Sequence, residues 1–292
     1  MSRFFIQHST RYLYEEPVRD SASQIMLYPV VDDYQETLKH SLLITGDPSV
    51  HVHRDFYGNQ VGTFTYAQPH QEMIILSQVT VETRQRKMPP DDVPFDLQWK
   101  ELGMLKQQLE HVDFLRPERF IGLGEVESLV EEVRRRNCTP LQSAIHLCKY
   151  LYDSFAYKKG ITTVETTIDE IWRLKSGVCQ DFAHLQIACL RALGLPARYV
   201  SGYLETLPPP GQPKLVGADA SHAWVAFYCP GIGWIDVDPT NNVFPSMQHV
   251  TLGWGRDYGD VSPIRGVLTG GGEHHLRVGV DVVAQGEWDT TM

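Results

Sequence analysis

Over its first 88 residues the chain alternates short apolar runs with turn residues. Residues 4–8 and 11–14 are short and aromatic. Residues 41–44 form a third run, ended by Gly46-Asp47-Pro48. Residues 50–53 alternate, Gly58-Asn59 supplies a turn, and residues 61–66, 73–76 and 78–81 complete the series. Several short strands at regular spacing predict an antiparallel, sandwich-like β domain over residues 1–88. Met88-Pro89-Pro90-Asp91-Asp92-Val93-Pro94 then breaks the pattern, because proline cannot continue a strand or a helix interior. The predicted division is a β-rich region, 1–88, and a second region, 89–292.

Past this linker the period becomes helical. Residues 97–111 and 125–136 read as helices, the second ending in Arg134-Arg135-Arg136, where positive charge suits the helix dipole. Thr139-Pro140 opens a third as N-cap and first-turn proline. Thr167-Ile168-Asp169-Glu170 is a capping-box pattern for a short fourth. A fifth follows Gly177-Val178-Cys179, with Phe182, Leu185, Cys189, Ala192 and Leu193 on one stripe and Gly194 and Pro196 as its stop. Extended segments return at 197–204, 221–228, 233–238, 264–268 and 275–283. Residues 207–213 read as an exposed proline-rich loop and Gly270-Gly271-Gly272 as a hairpin turn. Helices first and an antiparallel sheet afterwards give an α+β layout.

Cys179 falls in the first turn of its helix. There the unpaired N–H groups and the dipole favour the thiolate, which is the nucleophilic form. Taken alone, a cysteine on an amphipathic helix is more often a small buried hydrophobe. Cys148 and Cys189, on apolar helix faces, read as core. Cys138 and Cys229 have no partner motif. A cysteine nucleophile needs a base, and the base needs an orienting group. Ser221-His222-Ala223-Trp224 places a histidine at a strand start, with Trp224 as its shield or as a wall of the cleft. Trp234-Ile235-Asp236-Val237-Asp238-Pro239-Thr240 offers two aspartates, Asp238 and Asp236, on one face of the next strand.

Four blocks occur in order: Gly177-Val178-Cys179-Gln180-Asp181-Phe182-Ala183-His184-Leu185, the 194–203 stretch from Gly194-Leu195-Pro196 to Ser201-Gly202-Tyr203, Ala218-Asp219-Ala220-Ser221-His222-Ala223-Trp224, and Asp238-Pro239-Thr240-Asn241. Together they resemble the bacterial transglutaminase-like family of cysteine proteases, and the N-terminal stretch resembles the β-rich domain that often precedes this core. The resemblance implies a papain-like core of helices on an antiparallel sheet. It puts the nucleophile on Cys179, the base on His222 and the orienting acid on Asp238 in preference to Asp236. It also implies acyl transfer from an amide through a thioester on Cys179. Water would then complete hydrolysis of a peptide or protein substrate, and an amine would complete a cross-link. The oxyanion would be held by the Cys179 N–H and a second donor, with Trp172 and Gln180 as candidates. A third reading makes the core a non-catalytic scaffold with the β-rich region binding a partner.

Composition narrows the alternatives. A formal net charge of -10 lacks the basic face that nucleic acid or an anionic membrane requires. No apolar run approaches the roughly 20 residues that span a bilayer, and the start lacks the apolar stretch of a signal peptide, so a cytoplasmic protein is expected. Five widely spaced cysteines fit reduced thiols better than a disulfide framework. His51 with His53, and His274 with His275, lack a carboxylate or cysteine at ligand spacing. No acidic calcium loop is visible. No metal or cofactor is expected. Asp181 reads as a first-turn charge complementing the dipole.

Overall fold

A computed structural model describes residues 1–88, 90–105, 108–117, 120–205 and 221–285. The loop expected over 207–213, residues 218–220 ahead of His222, and Pro89 of the linker lie outside the described residues. In chain order the strands β1 Ser2–Ile25, β2 Gln35–Ile44, β3 His51–Arg54, β4 Gln60–Tyr66 and β5 His70–Thr83 come first. Helices α1 Phe95–Leu105, α2 Leu109–Val112, α3 Leu123–Arg135 and α4 Pro140–Ser154 follow. Then come β6 Ala156–Tyr157, α5 Ile168–Leu174, β7 Ser176–Gly177 and α6 Cys179–Leu193. After α6 come β8 Ala197–Leu204, β9 Ser221–Cys229, β10 Gly233–Val237, β11 His249–Gly255, β12 Ile264–Gly270 and β13 His274–Ala284.

The runs expected at 4–8 and 11–14 are one long strand. β1 is the hub of a seven-stranded sheet. On one side its first half pairs with β5 and its second half with β4; on the other side it meets β13 and then β12. Pairing on both edges keeps its polar middle extended, which a reading of side-chain periodicity does not reveal. The registers break between Leu13 and Asp20, around Pro17, which has no N–H to give a ladder. The sheet curls there, and its two halves enclose one core containing Phe4, Ile6, Phe64, Ile75 and Val282. β12 and β13, counted with the second region in the sequence, are therefore members of this first sheet. The boundary at 88/89 cuts between strands that pair with one another.

The second core lies between the helices and a four-stranded sheet of order β10-β9-β8-β11. β9 alternates cleanly: Ala223, Val225 and Phe227 face the helical core, while Trp224 and Ala226 face the other side. The expected caps are present. Thr139 and Thr167 each accept the N–H three residues on, with Gln142 and Glu170 completing the boxes. Gly194 closes α6 at φ 89, a left-handed conformation that suits glycine. The single helix expected over 97–111 is instead α1 and α2. Gln108 is extended (φ -93, ψ 127) and cannot carry a helix through. Among the described residues, no helix is long and apolar enough to cross a membrane.

Two buried amides join the halves of the molecule. The outer edge of β11 has no strand partner among the described residues. Gln35 of β2 donates to Thr251 O (2.8 Å) and accepts Thr251 N–H (2.7 Å). Asn59 does the same at Trp254, with 2.8 and 2.9 Å. Each amide imitates a neighbouring strand, which satisfies and protects an exposed edge. Gly253 is needed here, since a Cβ would stand 2.8 Å from Asn59 Oδ1. Replacing Asn59 with alanine strands two buried groups of Trp254. Asn59→Ala is expected to lower unfolding free energy by about 1–3 kcal/mol in urea titrations followed by tryptophan fluorescence, and an unchanged midpoint would contradict this role.

Candidate active site

The site begins at the tip of α6. Val178 is the extended N-cap (φ -110), and Cys179 is the first helical residue. Its amide has no acceptor one turn back, as at any helix start. The tip is held by Asp181, whose Oδ2 accepts Val178 N–H (2.7 Å) and the Thr162 hydroxyl (2.7 Å). Gly177 makes this possible, because a Cβ there would sit 2.4 Å from that same oxygen. The acid expected to complement the dipole thus caps the helix through a specific bond.

Opposite this tip is the start of β9. Cys179 Sγ lies 4.0 Å from Ser221 O. His222 lines the same cleft as Cys179 and places Nε2 2.7 Å from Asp238 Oδ2. An ionised carboxylate only accepts, so the proton of the neutral ring is on Nε2 and Nδ1 is left for the thiol. Gly202 pairs directly across from His222 and gives up its side-chain space. A Cβ at Gly202 would press on Val250 O (2.2 Å) and the Trp224 ring (2.5 Å).

Asp238 follows β10 and is wholly buried. Oδ1 accepts Thr240 N–H (2.9 Å) and Asn241 N–H (3.3 Å). Oδ2 accepts from His222, from Asn241 Nδ2 (2.7 Å) and from His249 Nε2 (3.3 Å). Burial would raise the proton affinity of this carboxyl. The bonds from His222, His249 and Asn241 outweigh it and hold the group well below the usual carboxylate range. For His222, burial would disfavour the charged ring, but its bonds to Asp238 and Cys179 outweigh burial and raise it above its ordinary 6.5.

The structure brings Cys179 and His222 to one cleft and bonds His222 to Asp238. Asp236, the alternative acid, is engaged elsewhere: its Oδ2 takes Arg86 Nη1 (2.6 Å) and Trp224 Nε1 (3.2 Å). Trp224 is fully buried beside His222, its ring centroid 6.0 Å away. Of the two candidate oxyanion donors, Gln180 lines the cleft. Trp172 does not: it packs in the helical core with Phe120 and Phe155, and Lys175 Nζ lies 3.6 Å over its ring. The cleft of about 500 Å³ is walled by Tyr157, Tyr199 and Tyr258, by Val164 and Val178, and by Val278 and Val280 of β13. The curled sheet therefore supplies one wall of the site.

His249 is a member of the site that the sequence reading missed. It opens β11, a strand hidden by Gly253 and Gly255, whose only signal is the apolar pair Val250 and Leu252 around Thr251. His222, Asp238 and His249 offer ligand atoms within 4.8 Å of one another, the one such group among the described residues. Their hydrogen bonds have the wrong polarity for a metal. A ligating histidine donates its second N–H to an acceptor, whereas His249 Nδ1 accepts Ser246 N–H (3.2 Å) and its Nε2–H is directed at Asp238. The His51–His53 and His274–His275 pairs lie on the curled sheet away from this site.

Comparison with known proteins follows the same outline. The family profile described as Transglutaminase-like superfamily matches residues 127–239, and that described as Bacterial transglutaminase-like N-terminal region matches residues 4–82. An uncharacterized protein of Mycobacterium tuberculosis is 34% identical over 301 residues, 96% of this chain and 92% of its own length. One from Mycobacterium leprae is 30% identical over 286 residues, 97% and 99% of the two chains. The protein-glutamine gamma-glutamyltransferase of Pseudomonas aeruginosa is 36% identical over 129 residues, 42% of this chain and 19% of that one. The crystal structure of a candidate cysteine protease from Cytophaga hutchinsonii superposes with a TM-score of 0.75 at 21% identity, covering 97% of this chain and 91% of that one, a likeness of fold.

The paired shifts set a pH window. Asp238, lowered on folding, contributes stability above its unfolded value of about 3.8, and this is lost as pH falls through the folded value. His222, raised on folding, contributes fully below about 6.5, and this is lost as pH rises through the folded value. Both contributions are complete between these limits. Asp238→Asn removes the carboxylate that holds the imidazolium, so His222 is expected to titrate at lower pH than in the native protein. Ring-proton NMR of His222 across pH measures this; a midpoint that stays or rises would refute the coupling.

Proposed function

The chain belongs to the transglutaminase-like superfamily, and from that premise we propose that it is a thiol-dependent amide-bond hydrolase acting through an acyl-thioester on Cys179. The observation that carries this reading is that Cys179 and His222 line one open cleft, with His222 Nε2 bonded to the buried Asp238 carboxylate at 2.7 Å. His222 takes the thiol proton on Nδ1, and the sulfur attacks the acyl carbonyl. The helix tip and the imidazolium both face the sulfur with positive charge, which favours its anionic form. The oxyanion of the tetrahedral intermediate is stabilised by the Cys179 N–H, with Gln180 as the second donor. His222 returns its proton to the leaving amine as the carbon–nitrogen bond breaks. Water, deprotonated by the same imidazole, then attacks the thioester and releases the acid. Asp238 keeps the ring in the tautomer this needs and balances its charge.

A peptide or protein chain fits the cleft in size, and the tyrosine and valine walls suit an extended segment with apolar neighbours. The free state of all five cysteines suits a reducing compartment, and a cytoplasmic location is part of the proposal. A second reading sends the acyl group from a glutamine side chain to an amine instead of water. It draws on the resemblance to the Pseudomonas gamma-glutamyltransferase over 129 residues. The two readings share every step up to the thioester.

Incubation with a glutamine-containing peptide and a primary amine, followed by mass spectrometry, separates them: cleaved or deamidated products mark hydrolysis, and an amine adduct marks transfer. Cys179→Ala is expected to reduce either activity by roughly a thousandfold or more. Undiminished activity or cellular function in that variant would instead revive the scaffold reading.

A further inference from the structure

The steps above leave His249 without a task, although it lies buried in the middle of the machinery. Its orientation is tightly set. Backbone N–H of His249 donates to Ser246 O (3.1 Å), and Ser246 N–H returns a bond to its Nδ1 (3.2 Å). A nitrogen that accepts a backbone N–H carries no proton of its own, so the neutral ring is protonated at Nε2. That N–H is directed at Asp238 Oδ2, 3.3 Å away. The Trp224 ring meets the imidazole edge-on, 5.3 Å between centroids at 85°, and blocks rotation.

The other ties on Asp238 differ in kind. Thr240 and Asn241 belong to the same turn as the carboxylate and move with it. His222 is the group to be positioned. His249 comes from β11, on the far side of β8 and β9 from β10, and so references the carboxylate to the sheet itself. We propose that His249 is a positioning residue for the acylating pair: as a neutral Nε2–H donor it holds Asp238 Oδ2 against His222, so that the imidazole keeps Nδ1 on the Cys179 sulfur. This role rests on the proposed thioester chemistry, but its geometry can be tested separately.

Three forms of the full chain serve: native, His249→Leu, which fills the space without a donor, and His249→Gln, whose amide can donate from near the Nε2 position. In the native protein, nitrogen-15 NMR should find the His249 proton on Nε2 at neutral pH. In the Leu variant the low-field Nε2–H proton of His222 should be lost, and alkylation of Cys179 by iodoacetamide should slow roughly tenfold, as expected for one lost hydrogen bond to a charged group. The Gln variant should keep the low-field proton and stay within about threefold of the native rate. A His249 proton on Nδ1, a Gln variant that falls as far as Leu, or a Leu variant of native Tm that keeps both signals would overturn the proposal. Should the Leu variant not fold, the native tautomer and the Gln variant still decide. Native Cys179 reacting no faster than Cys138 would instead count against the thioester chemistry, and the tautomer and the His222 proton would still report on His249.

Discussion

A carboxylate with no exposed surface sits where the site's elements meet, and it is tolerable only because it is saturated. Taking a carboxylate out of water costs several kcal/mol unless hydrogen bonds replace its hydration. Asp238 replaces it with two backbone N–H groups, one amide and two imidazoles. Its own backbone is bonded in both directions to Val243, and its carbonyl receives the Cys148 thiol of α4 at 3.8 Å. One residue therefore ties the start of β9, the end of β10, the start of β11 and a core helix. Removing any of these donors leaves part of a buried charge uncompensated. The strands that meet here are consequently held in a single register, and His222 inherits that precision.

What could be read in the sequence divides by range. Signals closed within a few residues were legible: the capping boxes at Thr139 and Thr167, the glycine stop at Gly194, and the glycine turn before β13 all occupy their expected places. Cys179, His222 and Asp238 could be chosen because four ordered blocks carry them, although local pattern alone left Asp236 equally good. What separates the two acids is Arg86, which lies 150 residues from Asp236 and binds it at 2.6 Å. No local pattern encodes that partner. The same limit explains β1, held extended by neighbours on both edges, and the return of β12 and β13 to the first sheet. Trp172 was a reasonable oxyanion donor by residue type alone; its place between Phe120 and Phe155 is a property of tertiary packing.

The return of the last strands has a consequence for chemistry. Val278 and Val280 reach the cleft only because β13 pairs with β1 in its register, with Val280 opposite His8. A slip of one residue would turn both valines away from the cleft. His8 is itself buried, its ring bonded to the Tyr203 hydroxyl at 2.9 Å, and burial lowers it to about 4, so it stays neutral at ordinary pH. Tyr203 belongs to β8, the strand that also presents Tyr199 and Ser201 to the cleft. The curled sheet and the four-stranded sheet thus share a neutral polar tie beneath the site as well as the two amides along β11. Separating them would expose the cleft wall and strand the outer-edge backbone groups of Thr251 and Trp254, so the β-rich region forms part of the wall of the candidate site.

Asp181 poses the remaining problem, since a negative charge two residues beyond Cys179, the proposed nucleophile, works against an anionic sulfur. The resolution lies in what its oxygen does. The first turn of any helix has N–H groups without partners, and Val178, a valine, has no side chain able to cap them. Asp181 reaches back to the Val178 N–H and also binds Thr162, from the loop that follows β6. Its charge is thereby directed at donors on the side of the tip where Gly177 leaves room, and the Cys179 amide stays clear for an oxyanion. A neutral residue here would spare the sulfur a repulsion but free the backbone that aims it. Order at the tip outweighs the local charge, because a nucleophile displaced by about 1 Å can lose roughly a hundredfold in rate.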